Sequence, residues 1–419
     1  MKRILLTIVT GLFLTAGINA QKAGCDLPAP LTTQNGSEVT STTQWEKVRR
    51  PEILQMFTEQ MYGNVPLSPG TKVDWKVVEQ SDSALRGLAG RKQVEFHIHN
   101  DRTGKSMKYV MLIYYPAASE KPCPVFIGMN FYGNHTINPD PAIIMPQTWI
   151  RNNEDFHVTD NKATEASRGI RVSRWPAEYI VSRGYALATI YYGDLDPDFD
   201  DGFHNGLHQF FYTKQDTVHD PDEGGSIAAW AFGLSKGMDY LVTDPLFDAS
   251  RVAVMGHSRL GKTSLWAGAT DQRFAMVVSN SSGCGGAALS CRKHGETVKL
   301  INDQFPHWFC DNFKKYNDNE EELPFDQHEL IALMAPRPVY IASAVEDDWA
   351  DPVGEYLSGY YAGKVYTLYG LKGLSSKIPP VVNFPLTDHI VGYHIRSEGH
   401  DLKAYDWIQF LDFADKHML

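Results

Sequence analysis

The stretch Val252-Ala253-Val254-Met255-Gly256-His257-Ser258-Arg259-Leu260-Gly261-Lys262 constrains this chain more than any other. An apolar, β-branched run stops at Gly256. A helical pattern starts just past Ser258, with Leu260, Leu265, Trp266 and Ala269 as inward positions. Strand, sharp turn and helix around a serine is the geometry of a nucleophile elbow. Small residues flank such a serine because its backbone is strained and closely packed. The turn lifts the hydroxyl to the top of a sheet and sets it at a helix N-terminus, whose N–H groups favour a developing oxyanion. Alone, the pattern also fits a plain strand-to-helix turn with a serine N-cap.

The rest of the chain supplies the context. Period-two alternation predicts strands at 73–78 and 92–100, and a nearly all-apolar run predicts a third at 107–115; together they read as the antiparallel edge of a mixed sheet. Residues 45–62 carry Ile53, Met56, Phe57 and Met61 at helical spacing. A short buried strand at 124–129 runs into Asn130-Phe131-Tyr132-Gly133, the loop expected to offer a second oxyanion N–H. Residues 136–171 have no clear period, and so long a loop in a compact domain reads as a substrate rim. A helix at 175–183, a strand at 184–192 and an amphipathic helix at 225–242 follow. Beyond the elbow come strands at 274–278 and 338–344, helices at 326–334 and 355–361, a loop or short strand at 385–393, and a closing helix at 405–417. The expected fold is a three-layer α/β sandwich with a mostly parallel central sheet and long rim insertions.

A serine hydroxyl attacks well only when a base takes its proton and a carboxylate fixes that base. The α/β-hydrolase order is serine, acid, histidine. Here Ser258 comes first, Glu346-Asp347-Asp348 follows a late strand, and Gly399-His400 precedes the last helix. All three lie in loops after expected strands, the edge where such sheets carry chemistry. His389 and His394 are rivals to His400, which is preferred for the tight turn at Gly399.

Lys2 and Arg3 precede a short apolar run at 4–16, and Ala20 is a small residue suited to cleavage. This reads as a secretory signal over 1–20, too short for the roughly 20 residues of a membrane span. Lys22, three residues before Cys25, argues against lipidation. Residues 21–419 are expected to form one catalytic domain, secreted or periplasmic, monomeric and without a membrane anchor. The net charge of −11 argues against a nucleic-acid partner. Five cysteines leave at least one unpaired, and the grouping of Cys284, Cys291 and Cys310 suits one disulfide there. The acids of 193–200 suggest a calcium loop, but Pro197 and the lack of a closing Glu favour capping carboxylates. His204 and His208 lack a third zinc ligand. No metal or organic cofactor is expected.

The elbow departs from G-x-S-x-G. Its G-x-S-R-x-G-K form resembles that of the glucuronoyl esterases, carbohydrate esterase family 15. The resemblance continues through Ser282-Gly283-Cys284-Gly285-Gly286, Glu296, Phe305-Pro306-His307-Trp308-Phe309, Asp347-Asp348-Trp349 and Glu398-Gly399-His400. It implies cleavage of esters between 4-O-methyl-glucuronic acid on xylan and lignin alcohols. It also implies Ser258 as nucleophile, His400 as base and Arg259 at the oxyanion. Lys262 and Glu296 are implied at the sugar hydroxyls, with Trp349 as a stacking wall. Many members place the acid where this chain has Ser281, so the acid falls to the late loop: Asp347 first, Asp348 as runner-up. Fungal members link the elbow to the residue after the histidine by a disulfide. His257 and Asp401 stand at those positions, the bacterial pattern. An acetyl-xylan or feruloyl-type esterase, or an inactive carbohydrate-binding relative, are the competing expectations.

Overall fold

The computed structural model describes residues 26–118, 121–211 and 219–418. The expected signal segment and Cys25 lie outside them. Among the described residues one nine-stranded sheet runs β1 (Thr71–Ala84), β2 (Ala89–Asn100), β3 (Lys105–Pro116), β5 (Ala186–Tyr191), β4 (Cys123–Asn130), β6 (Phe247–His257), β7 (Met276–Asn280), β8 (Val339–Ala344), β9 (Val391–Arg396). The pairs from β1 to β5 are antiparallel, and those from β5 onward are parallel. The sheet is therefore mixed and mostly parallel, as the alternation of strand and helix patterns predicts.

Alternating side chains of the central strands feed two cores. Val125, Ile127, Val252 and Val254 face helices Ser226–Thr243 and Arg259–Thr270, with Trp230 and Leu265 buried among them. Phe126, Ala253 and Met255 face Trp175, helix Ala177–Ser182 and the closing helix Ala404–His417. Strands buried on both faces carry continuous apolar runs for this reason. Residues 45–62 are helical as expected, although wider π-type turns flank the α-helical middle, Arg50–Phe57. The segment 136–171 holds short 3-10 turns and two isolated bridges, Asn153 with Val158 and Thr159 with Lys162, but no strand or α-helix.

Some expected boundaries shift. The helix expected at 355–361 spans Pro352–Tyr366, because Asp351 caps it from a left-handed conformation by accepting from the Gly354 N–H. β9 takes in His394 and Arg396, which the sequence pattern assigns to a loop. The grouped cysteines do not pair with one another. Cys291 is disulfide-bonded, while Cys284 and Cys310 are buried free thiols. Cys284, within the Gly-rich stretch, is buried in the main core, and the Cys310 thiol reaches the carbonyl of Glu59.

Glu355 fastens this frame from below. Its Oε1 accepts from the N–H groups of Ser282 (2.6 Å) and Gly283 (3.0 Å), and its Oε2 from the Ser343 hydroxyl (2.6 Å). Burial pushes its carboxyl up to about 7, against an ordinary 4.5. A carboxyl raised on folding supports stability below its unfolded value, and that support fades as pH rises through the folded value. Glu355→Gln removes this titration while keeping an acceptor for the two N–H groups. Between about pH 4 and about pH 8, urea unfolding of the wild type is expected to lose about 3 kcal/mol relative to the variant. Parallel profiles for the two proteins would contradict it.

Candidate active site

The elbow is built as its sequence predicts. Ser258 follows the end of β6 at φ 59°, ψ −131°, and helix Arg259–Thr270 starts at the next residue. A Cβ on Gly256 would lie 1.8 Å from the Leu260 carbonyl oxygen, and one on Gly261 would lie 2.9 Å from the Ser282 Cβ. Only glycine fits either place. The Ser258 N–H is tied to the Asn280 carbonyl at the end of β7 (2.8 Å), which fixes the strained turn. The first N–H groups of the helix have no partner within it and point toward the serine.

Asp347 and His400 reach the elbow from the loops after β8 and β9, beyond the neighbouring β7. The ladder between β8 and β9 continues past the strand ends, with Val345 N–H bonded to the Arg396 carbonyl and Glu346 N–H to that of Glu398. This brings the Asp347 loop against the His400 loop. His400 Nδ1–H donates to Asp347 Oδ2 at 2.6 Å, and Asp347 is 5% exposed. Asp348 points away and bonds His294 at 2.9 Å. The rival His394 is buried, with its Nε2 on Asp406 (2.8 Å). Asp406 also holds Arg396, whose guanidinium donates to the carbonyls of Gly399 and Asp401. His394 thus sits behind the loop that carries His400.

Ser258, Arg259 and His400 line one pocket of about 200 Å³, with Phe131, Tyr132, Phe156, Tyr192 and His257. The His257 ring lies 4.6 Å from that of His400, and its Nδ1 is bonded to the Asn280 side chain at 2.6 Å. Burial, with His400 next, holds the His257 imidazole well below its ordinary range, so it stays neutral. Gly133 turns at φ 100° as expected, but its N–H is taken by Asn130 Oδ1 (2.8 Å) and is not free for an oxyanion.

Lys262, Glu296 and Trp349 gather outside this pocket. Lys262 Nζ donates to the Ser282 carbonyl (2.8 Å) and to Glu296 Oε2 (3.2 Å), both under cover. Glu296 N–H bonds the Trp349 carbonyl (2.9 Å), while the Trp349 indole is 48% exposed. Trp308 separates the two groups. Its ring lies 4.7 Å from the Arg259 guanidinium and 5.6 Å from Lys262 Nζ, and it stacks on Phe305.

The residue that sequence reasoning missed is Asp198. In the chain it looks like one capping carboxylate among several. In the fold it is buried and receives hydrogen bonds from Arg259, the Tyr192 hydroxyl (3.0 Å), His307 Nε2 (3.0 Å) and Trp308 Nε1 (2.8 Å). Burial opposes its charge, but Arg259 and these donors outweigh burial and hold its carboxyl well below the usual range. Arg259 is likewise held above its ordinary value, because Asp198 offsets its burial. The other acids of this loop are engaged too. Asp196 accepts from His208 and Ser226, and Asp194 from Thr148. Among the described residues no group of three or more His, Cys, Asp or Glu is placed to hold a metal ion.

Removing one partner of a buried ion pair leaves the other charge uncompensated, which costs about 3–5 kcal/mol. Asp198→Asn is expected to lower unfolding stability on that scale in urea melts and to reduce turnover at the Ser258 pocket, since Arg259 loses its aim. Wild-type stability together with wild-type kcat would show that Asp198 does not position Arg259.

The comparisons with known proteins agree with this architecture. A family model described as glucuronyl esterase, fungi, matches residues 183–370. The 4-O-methyl-glucuronoyl methylesterase 1 of Wolfiporia cocos is 34% identical over 82% of this chain and 72% of its own. A solved promiscuous CE15 esterase from the marine bacterial metagenome is 49% identical, with TM-score 0.87, over 94% of this chain and 97% of its own. The glucuronoyl esterase from Solibacter usitatus is 44% identical, with TM-score 0.86, over 93% and 97%. The chain belongs to the glucuronoyl esterases of carbohydrate esterase family 15, carboxylic ester hydrolases on the α/β-hydrolase fold.

Proposed function

We propose that this protein is a secreted serine esterase that cleaves esters of 4-O-methyl-glucuronic acid on xylan with lignin alcohols, using Ser258, His400 and Asp347 as its triad. The observation that carries the reading is the 2.6 Å contact between His400 Nδ1 and Asp347 Oδ2, in loops that meet beside the strained Ser258. Asp347 keeps Nδ1 protonated, which leaves His400 Nε2 free to accept the serine proton. Ser258 Oγ then attacks the ester carbonyl. The N–H groups opening the elbow helix and the Arg259 guanidinium, already oriented by Asp198, stabilise the negative oxygen. His400 returns the proton to the leaving alcohol as the C–O bond breaks. Water, activated by the same histidine, releases the uronate from Ser258.

Lys262 and Glu296 fit the sugar hydroxyls in this reading, and Trp349 fits a wall against the ring. Their ion pair lies against Lys262's side of the Trp308 ring, which Arg259 also contacts, and the Trp349 indole is exposed. Export rests on the charged start and apolar run of residues 1–20. No helix among the described residues is long and apolar enough to cross a membrane.

Hydrolysis of benzyl glucuronate tests the reading directly. Ser258→Ala is expected to lower kcat by roughly ten-thousandfold or more. Asp347→Asn is expected to lower it by roughly 10³–10⁴-fold, while Asp348→Asn retains most activity. Collapse of the Asp348 variant alone would reassign the acid. Cleavage of acetyl esters without cleavage of the uronate would retain the triad and remove the substrate.

A further inference from the structure

The pocket above Ser258 has a charge pattern that cleaving a neutral ester does not require. Arg151, Arg171 and Arg174 join Arg259 in its lining, and no carboxylate lines it. A uronate that is esterified has lost its charge and offers Arg151, Arg171 and Arg174 no carboxylate to pair with. The chain as a whole carries −11, so the excess is local. Two carboxylates stand behind the wall, and both are in use. Asp198 already holds Arg259; Arg151 donates to the Asp198 backbone carbonyl (3.4 Å) and stays 3.9 Å from its carboxylate. Asp401 is bonded by Arg174 and by Lys403 (3.1 Å), which leaves Arg171 at 3.8 Å. Arg151 keeps 52% of its side chain exposed. The Arg171 guanidinium lies over the Phe156 ring at 4.5 Å, and Phe156 packs edge-on against Tyr132 at 4.8 Å. Underused cations and an aromatic pair therefore share one wall, and all come from the segment between β4 and β5.

We propose that this wall is a subsite for an anionic aromatic alcohol: the alcohol half of the ester carries a carboxylate bound by Arg151 and Arg171, and an aryl ring packed on Phe156 and Tyr132. The inference rests on the esterase reading and adds the charge of the leaving alcohol. Guanidinium groups pair with carboxylates in planar, bidentate geometry and shed water more readily than an ammonium. A positive cleft on an acidic protein also concentrates anions from solution. Arg174 is paired with Asp401 and lies over the Phe131 ring at 5.9 Å, so it is not one of the anion-binding cations.

The test compares kcat/KM for the benzyl and 4-carboxybenzyl esters of glucuronic acid at low and raised salt. The carboxybenzyl ester is expected to be preferred by about tenfold, with the preference shrinking as salt rises. Arg151 is half exposed, so Arg151→Gln tests the subsite with little risk to folding; the ratio is expected to fall toward one. Calorimetry with 4-(hydroxymethyl)benzoate needs no turnover. Binding is expected to wild type, tighter than benzyl alcohol, and weaker to Arg151→Gln. Equal kcat/KM for the two esters, or a preference that survives both salt and the variant, overturns the inference. Tight binding of free glucuronate without any effect of the alcohol's carboxylate also overturns it, and assigns the cations to the acid half. If neither ester is cleaved, the esterase reading fails, and the binding measurement still decides the anion subsite.

Discussion

The backbone at Ser258 is the constraint around which the rest is arranged. A non-glycine residue at φ 59°, ψ −131° stays there only when its surroundings over-determine it. Gly256 and Gly261 allow the strand and helix to approach within a distance no side chain would permit, and the Asn280 carbonyl pins the turn from β7. Once the turn is fixed, the helix that follows has no freedom of direction. Arg259 must leave its first position toward the loop after β5, and Lys262 must leave one turn later toward the Gly-rich segment after β7. The two cations diverge around Trp308, which contacts both.

Burying a guanidinium is costly unless its charge is answered. The fold answers it with Asp198, and four donors then hold that carboxylate. Arg259 is therefore aimed by a network rather than by its own rotamer, and arrives at the pocket already oriented. Preorganised charge of this kind needs no rearrangement when an oxyanion forms. The histidine side of the site follows the same logic with different parts. Arg396, itself held by Asp406, grips the carbonyls on either side of His400, while Glu355 ties the turn after β7 to β8 and the helix beyond. The Asp198, Asp406 and Glu355 carboxylates each accept several hydrogen bonds, and these networks hold the loops around the pocket in place.

Much of this was legible in the chain. The elbow was, because its geometry depends on residues within a few positions of Ser258. The central strands were, because burial on both faces leaves continuous apolar runs. The irregular character of 136–171 was, from its missing period. Other features were not. The reach of β9 through Arg396 was obscured because His394 and Arg396 are polar residues buried by partners distant in sequence. The cysteine grouping misled because nearness along a chain is not nearness in space: Cys284 and Cys310 face different neighbours.

By itself the sequence determined the strand–turn–helix at Ser258, the order of serine, acid and histidine, and the alternation that builds a mostly parallel sheet. Local sterics and hydrophobic period decide those features, and both are written in neighbouring residues. The tertiary structure alone decided that Asp347 rather than Asp348 meets His400, since adjacent side chains diverge and only the pairing of β8 with β9 sets which one faces inward. It also decided that Asp198, far upstream, holds Arg259, and that three more arginines share its pocket. Those partners come from separate loops, and only the sheet order β5-β4-β6 carries them to one edge.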